Sequence, residues 1–158
     1  MTAPAAPGAL LVEPLGDSIH DQIACMLLDA RVFPWSSAWF VAPPRRLGRP
    51  LWVVRPGAGA PAVGFLAACE RQHHLYVQGL AVDPGMRRRG AGAALLRHAA
   101  RYAWAQAMNE LVLHVMPSNR AAVGLYAREG FVACRRVPRF YSDGTEALEM
   151  RLRLGAGG

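Results

Sequence analysis

The stretch GLAVDPGMRRRGAGAALLRHAARYAWAQA (residues 79–107) sets three consecutive arginines directly before Gly-Ala-Gly, and a helix-forming run follows. The residues before it, HHLYVQGLAVDP (73–84), read as a strand. A strand that turns into a helix through small residues presents backbone amides with no intrahelical partner, at the positive end of the helix dipole. Such amides bind phosphate readily. Gly90 and Gly92 remove the Cβ atoms that would hold a phosphate away, and Arg87, Arg88 and Arg89 add charge-assisted contacts. The spacing is neither a Rossmann GxGxxG nor the Gly-Lys-Ser/Thr of a P-loop. Taken alone, a structural turn with solvated arginines accounts for the same residues.

The elements outward from this turn follow a mixed α/β pattern. LLVEPLG (10–16) reads as a strand. Asp17 or Ser18 caps a helix whose apolar side carries Ile19, Ile23, Met26, Leu27 and Ala30. Pro34 in FPWSSAWF (33–40) ends that helix, and Ser36 or Ser37 caps a short second one. LWVVRP (51–56) and PAVGFLAACERQ (61–72) are strands. Gly79 inside the next strand signals a bulge or the close approach of another backbone. After the long helix, ELVLHVM (110–116) is a strand and PSNRAAVGLYAREG (117–130) a capped helix closed by Gly130. FVACRRVPRFY (131–141) and ALEMRLRL (147–154) frame SDGTE as a terminal hairpin. The expectation is one domain over residues 1–158, with loose tails at 1–8 and 155–158, about seven strands and four helices. The three central strands are expected to be antiparallel, and the strand–helix–strand unit over 74–116 a parallel crossover.

Composition narrows the function classes. The 158 residues fit one domain, and 53% hydrophobic content places the chain among globular sequences. No apolar run nears the ~20 residues that cross a bilayer. The start lacks a basic segment followed by an apolar one, so no signal peptide, no membrane partner and a cytoplasmic setting are expected. All 18 basic residues are arginine, for a net charge of +7. That charge is either a solvated surface or an attraction for polyphosphate and acidic ligands. No helix-turn-helix, zinc-finger or RNP pattern appears, so no nucleic acid partner is expected. Cys25, Cys69 and Cys134 are odd in number and without close spacing, which argues against disulfides and zinc and for small buried apolar roles. His73 and His74 are adjacent on a strand and point to opposite faces, so no metal site is expected.

GLAVDPGMRRRGAGAALL resembles the acetyl-CoA-binding motif of the GNAT acetyltransferases, R/Q-x-x-G-x-G/A, with Arg87, Gly90 and Gly92 at its fixed positions. LHVMPSNRAAVGLYAREGF resembles the family's second segment, and FPWSSAWF and PRFYSDGTEALEMRL resemble the flanking segments of its RimI-type protein N-terminal acetyltransferases. The resemblance spans about residues 10–154. It implies a GNAT fold and transfer of acetyl from acetyl-CoA to an amine in a ternary complex, without metal. A protein or peptide N-terminus is the implied acceptor, and the chain a monomer or weak homodimer. A small-molecule amine acetyltransferase and a non-catalytic acetyl-CoA-binding module are the alternatives, because fold does not fix function.

Residue by residue, the resemblance implies that Leu80, Ala81 and Val82 hold the pantetheine arm on a splayed strand. Arg88, Arg89, Gly90, Ala91, Gly92 and Ala93 take the diphosphate, and Asn119 contacts the cofactor, a role compatible with capping its helix. Acyl transfer needs an amine freed of its proton and donors at the oxygen of the tetrahedral intermediate. Tyr126 matches the family's tyrosine near the cofactor sulfur and is the implied general acid. RimI enzymes carry a glutamate where this chain has His114, and one eukaryotic N-terminal acetyltransferase group pairs a histidine there with a tyrosine matching Tyr76. Tyr76 and His114 are thus the implied base pair, with water as a possible bridge. In LVLHVM the alternation puts His114 on the face opposite the leucines. Tyr141 matches one of two hairpin tyrosines that hold the substrate backbone, and Phe140 replaces the other. Trp35, with Phe33 and Trp39, is expected at the substrate side or in the core.

Overall fold

Residues 9–16, 18–32 and 49–155 are described by a computed structural model of the chain. Their order is β1 (Leu11–Pro14), α1 (Ile19–Val32), β2 (Leu51–Arg55), β3 (Gly64–Glu70), β4 (His74–Val82), α2 (Ala91–Ala105), β5 (Glu110–Val115), α3 (Arg120–Arg128), β6 (Val132–Val137) and β7 (Ala147–Arg153). The sheet has seven strands in the order β1-β2-β3-β4-β5-β7-β6. β2 pairs with β1 and β3 antiparallel, β4 with β5 parallel, and β7 with both β5 and β6 antiparallel. The mixed sheet and the parallel β4–α2–β5 crossover match the sequence reading. The short helix expected after Pro34, together with Trp35, Phe33 and Trp39, lies outside the described residues.

The contacts divide the chain into two compact units, residues 1–67 with 79–95 and residues 68–78 with 96–158. In the first, Leu15, Cys25, Leu28, Val53, Phe65, Ala67 and Ala81 form one buried cluster. α1 meets it in a phase other than the one expected. Asp21, Cys25 and Leu28 face inward, while Ile19, Ile23, Met26 and Leu27 are exposed. Arg55 on β2 decides this: its guanidinium grips the Asp21 carboxylate at 2.9 and 2.6 Å. A largely covered arginine needs such a partner, and the pair ties Asp21 on the inward face of α1 to β2. The start of α1 matches the reading, with the Asp21 amide 3.4 Å from the Ser18 hydroxyl.

β3 and β4 do not pair residue for residue. At one end the Arg71 amide donates to the His74 carbonyl, and at the other the Asp83 amide donates to the Val63 carbonyl. β4 therefore uses one residue more than β3 over that span, which is the mark of a bulge. The close backbone approach is at Gly64 and not at Gly79. A Cβ on Gly64 would lie 2.8 Å from the Ala81 carbonyl, whereas one on Gly79 would meet only the Phe65 ring at 3.9 Å.

In the second unit, α2 buries Leu96, Ala99 and Ala103 on one stripe, and β5 buries Leu111, Val112 and Leu113. α3 closes with the paired hydrogen bonds of a Schellman motif: Gly130 donates to Ala127 and Phe131 to Tyr126, with Gly130 at φ +97°. β6 ends at Val137 because Pro138 cannot continue the ladder, so Phe140 and Tyr141 lie on the connecting loop and not on the strand. Cys25 and Cys69 are buried as expected, but Cys134 is exposed on β6.

Candidate active site

In the basic turn Arg87, Arg88, Arg89 and Gly90 are exposed, Ala91 is buried, and Gly92 and Ala93 are half-buried. Gly90 takes φ +83°, a conformation that favours glycine, and Arg88 takes φ 63°. A non-glycine residue held in that region stores strain of order 1 kcal/mol, a feature that concentrates at functional loops. The helix first uses its own ladder at Ala94, whose amide donates to the Gly90 carbonyl at 2.9 Å. The amides of Ala91, Gly92 and Ala93 precede that bond, so α2 supplies them no acceptor. The first turn carries no acidic residue to repel an anion. This donor set fits a diphosphate.

The second unit gathers the polar residues expected to do chemistry. On the parallel β4–β5 pair Tyr76 stands opposite Val112, two residues before His114. The Tyr76 hydroxyl lies 2.7 Å from His114 Nδ1. On the other side His114 stands opposite Glu149 in the β5–β7 ladder, with Nε2 3.2 Å from a carboxylate oxygen. Glu149 is only 3% exposed. Two guanidinium groups hold it: Arg135 Nε donates at 3.1 Å and Arg151 Nε at 3.0 Å. β6 bulges between Ala133 and Arg135, and this brings Arg135 rather than Cys134 opposite Glu149. Phe140 stacks on His114 with ring centres 4.4 Å apart.

The electrostatics assign the protons. Burial pushes the Glu149 pKa up, but the Arg135 and Arg151 hydrogen bonds outweigh it and hold the carboxyl below its ordinary value. Glu149 is therefore an anion that only accepts. Burial holds His114 below its ordinary value despite Glu149, so the ring is neutral at neutral pH. Nε2 must then carry the hydrogen that faces Glu149, which leaves Nδ1 as the acceptor for the Tyr76 hydroxyl. Burial first, with Tyr141 and Glu149 adding, pushes Tyr76 up to about 12.

Tyr126 is buried on α3, its ring 5.7 Å from that of Phe131. That contact is the hydrophobic partner of the Schellman turn, which explains the position in structural terms. Burial and the nearby Tyr141 push its hydroxyl up to about 12, so it is protonated throughout the physiological range. Tyr141 adds to the upward push on both Tyr76 and Tyr126, behind burial in each case. Asn119 caps α3, accepting from the Ala122 amide at 3.2 Å. Leu80 and Val82 are half-buried on β4, and Ala81 is buried.

A family model described as "Acetyltransferase (GNAT) family" matches residues 21–131. The chain belongs to the GNAT family. N-alpha-acetyltransferase 30 of Xenopus laevis is 39% identical over 80 residues, covering 50% of this chain and 29% of that protein. Streptothricin acetyltransferase of Streptomyces lavendulae is 35% identical over 99 residues, 60% of this chain and 51% of that one. The chain thus spans between about a third and a half of the length of these relatives. The crystal structure of the ribosomal-protein-S18-alanine N-acetyltransferase from Escherichia coli superposes with a TM-score of 0.78 at 26% identity, over 95% of this chain and 97% of that one.

In this GNAT domain Tyr76 lies on β4, His114 on β5 and Tyr126 on α3, the elements expected from the sequence, whereas Tyr141 lies on the loop between β6 and β7. Glu149 and Arg135 did not stand out. In ALEMRLRL, Ala147, Glu149 and Arg151 alternate with Leu148, Met150 and Leu152, so Glu149 reads as facing solvent. What singles it out is the pairing of β7 with β5, which puts this carboxylate beside His114.

Proposed function

We propose that this GNAT domain transfers acetyl from acetyl-CoA to a primary amine with both substrates bound together, and that the acceptor is a protein N-terminal α-amine, as in the RimI-like branch. The observation that carries the catalytic part of this reading is the 2.7 Å contact between the Tyr76 hydroxyl and His114 Nδ1, a pair that stands in place of the glutamate of the RimI enzymes. Acetyl-CoA supplies the activated acyl group. The amides of Ala91, Gly92 and Ala93, with Gly90 and the arginines at 87–89, hold its diphosphate. Leu80, Ala81, Val82 and Asn119 hold the rest of the molecule.

An α-amine with a pKa of about 8 must lose a proton to complete the transfer. Tyr76 takes that proton at its oxygen while its own passes to His114 Nδ1. The two movements are coupled, because a buried phenol raised to about 12 does not ionise alone at neutral pH. Tyr126 keeps its proton at neutral pH and is the general acid. Tyr141 lines the acceptor side.

The likeness to streptothricin acetyltransferase supports a second reading, a small-molecule amine acceptor. Thiol release from acetyl-CoA, followed with short peptides and with free amines, separates the readings. Turnover of peptides that stops when their N-termini are blocked supports the first. Turnover of free amines alone replaces it with the second. Tight acetyl-CoA binding without turnover of either removes catalysis altogether.

A further inference from the structure

We propose that Glu149 is a positioning residue for the proton relay: by accepting the Nε2 hydrogen of His114 it fixes the tautomer that turns Nδ1 toward Tyr76. The inference rests on the Tyr76–His114 base pair proposed above and adds a third member to it. The geometry is continuous across four strands. Tyr76 on β4 reaches His114 on β5, His114 reaches Glu149 on β7, and Arg135 on β6 reaches Glu149 in turn.

A neutral imidazole has two tautomers, and only one serves this route. With hydrogen on Nδ1 the ring would present a donor to Tyr76 and no lone pair to receive its proton. A carboxylate at Nε2 removes that alternative, since two lone pairs would otherwise face each other at 3.2 Å. When the proton arrives at Nδ1 the ring becomes an imidazolium, and the same carboxylate stabilises its charge. The bookkeeping is complete: one proton leaves the amine for the Tyr76 oxygen, one leaves that oxygen for Nδ1, and the Nε2 hydrogen stays in place.

The rest of the surroundings keep Glu149 fit for this role. A carboxylate 3% exposed is costly unless paired, and Arg135 and Arg151 pair it from both sides. Arg151 also pairs with Glu110, so its charge is shared along the ladder. The bulge at Cys134 is what brings Arg135 into register. The charged and titratable groups facing His114 are thus Tyr76 from β4, Glu149 and Arg151 from β7 and Arg135 from β6, with the apolar Phe140 ring covering its face.

The test combines a spectrum and a kinetic series. Nitrogen NMR of the imidazole in the wild-type protein at neutral pH should show His114 with hydrogen on Nε2; hydrogen on Nδ1 would overturn the proposal without any variant. Glu149→Gln should lower kcat about 10²-fold, leave KM for acetyl-CoA unchanged and move the acid limb of the rate profile to lower pH. Glu149→Asp, which keeps the charge, should recover part of the rate. A Glu149→Gln enzyme with wild-type kcat and pH profile sinks the role of Glu149 while leaving the base pair intact. If Tyr76→Phe and His114→Ala themselves turn over normally, the relay falls and Glu149 falls with it.

Discussion

At His114 both ring nitrogens are engaged, Nδ1 by Tyr76 and Nε2 by Glu149. Burial lowers the ring's pKa, so its base form persists below the usual value of about 6.5. The enzyme's own acid limb in kcat is therefore expected below about pH 6.5, with the rate falling as His114 gains its proton. A limb above that value would place the titration on another group. Tyr126 poses a separate question, because its place in the Schellman turn already justifies a ring. Tyr126→Phe keeps that ring and removes only the hydroxyl. It should lower kcat by about 10²-fold or more while acetyl-CoA binding, read by calorimetry, stays the same. An unchanged kcat would return Tyr126 to a purely packing role. The stop of α3 at Gly130 was legible in the sequence, whereas the contact of Tyr126 with Phe131 across that turn is a finding of the structure.

At the scale of elements, α1 and the start of α2 carry opposite lessons. The phase of α1 is decided by one ion pair, and Asp21→Ala would leave the Arg55 guanidinium buried without its closest partner. A loss of about 3–5 kcal/mol is expected for breaking such a pair, read as a lower urea midpoint at unchanged slope. The sign with pH follows from the Arg55 hydrogen bond, which holds the Asp21 carboxyl below its ordinary value despite burial. The wild-type advantage is fully present above the unfolded value of about 3.9 and disappears as pH falls through the lower folded value. A wild-type advantage that stays constant down to strong acid would show that the pair does not set it. The start of α2 behaves as its residues dictate, since Gly90 takes φ +83° and the amides of Ala91, Gly92 and Ala93 precede the first bond of the helix ladder. Gly92→Trp places an indole over those amides and should abolish acetyl-CoA binding while circular dichroism stays native. Wild-type affinity in that variant would remove the turn from the cofactor site.

For the molecule as a whole, a ligand that binds only the folded state adds stability by mass action. Acetyl-CoA at about 100 times its Kd should add about 2.7 kcal/mol, or several degrees in Tm for a chain of this size. The shift should vanish in Gly92→Trp and persist in Tyr126→Phe, which separates binding from chemistry. The charge of +7, carried by arginine alone, also predicts that affinity for acetyl-CoA weakens as salt rises. An affinity indifferent to salt would mean that the arginines at 87–89 lie away from the phosphates.

By itself the sequence determined the elements and the glycine-containing basic turn that opens α2. Strand alternation, the helix stripe, Asn119 as a cap and Gly130 as a stop are local effects, each set by neighbours a few residues away. It also determined that His114 leaves the leucine face of β5 and that Tyr76 precedes the turn on β4. Only the tertiary structure decided the phase of α1, because Arg55 comes 34 positions after Asp21 and no local pattern registers its pull. Only the tertiary structure brought Glu149 to His114, since that contact needs β7 paired with β5, and only the bulge in β6 aligns Arg135 with the same carboxylate. Periodicity reports which face a residue shares with its near neighbours; which charges meet across strands far apart in the chain depends on sheet order and register.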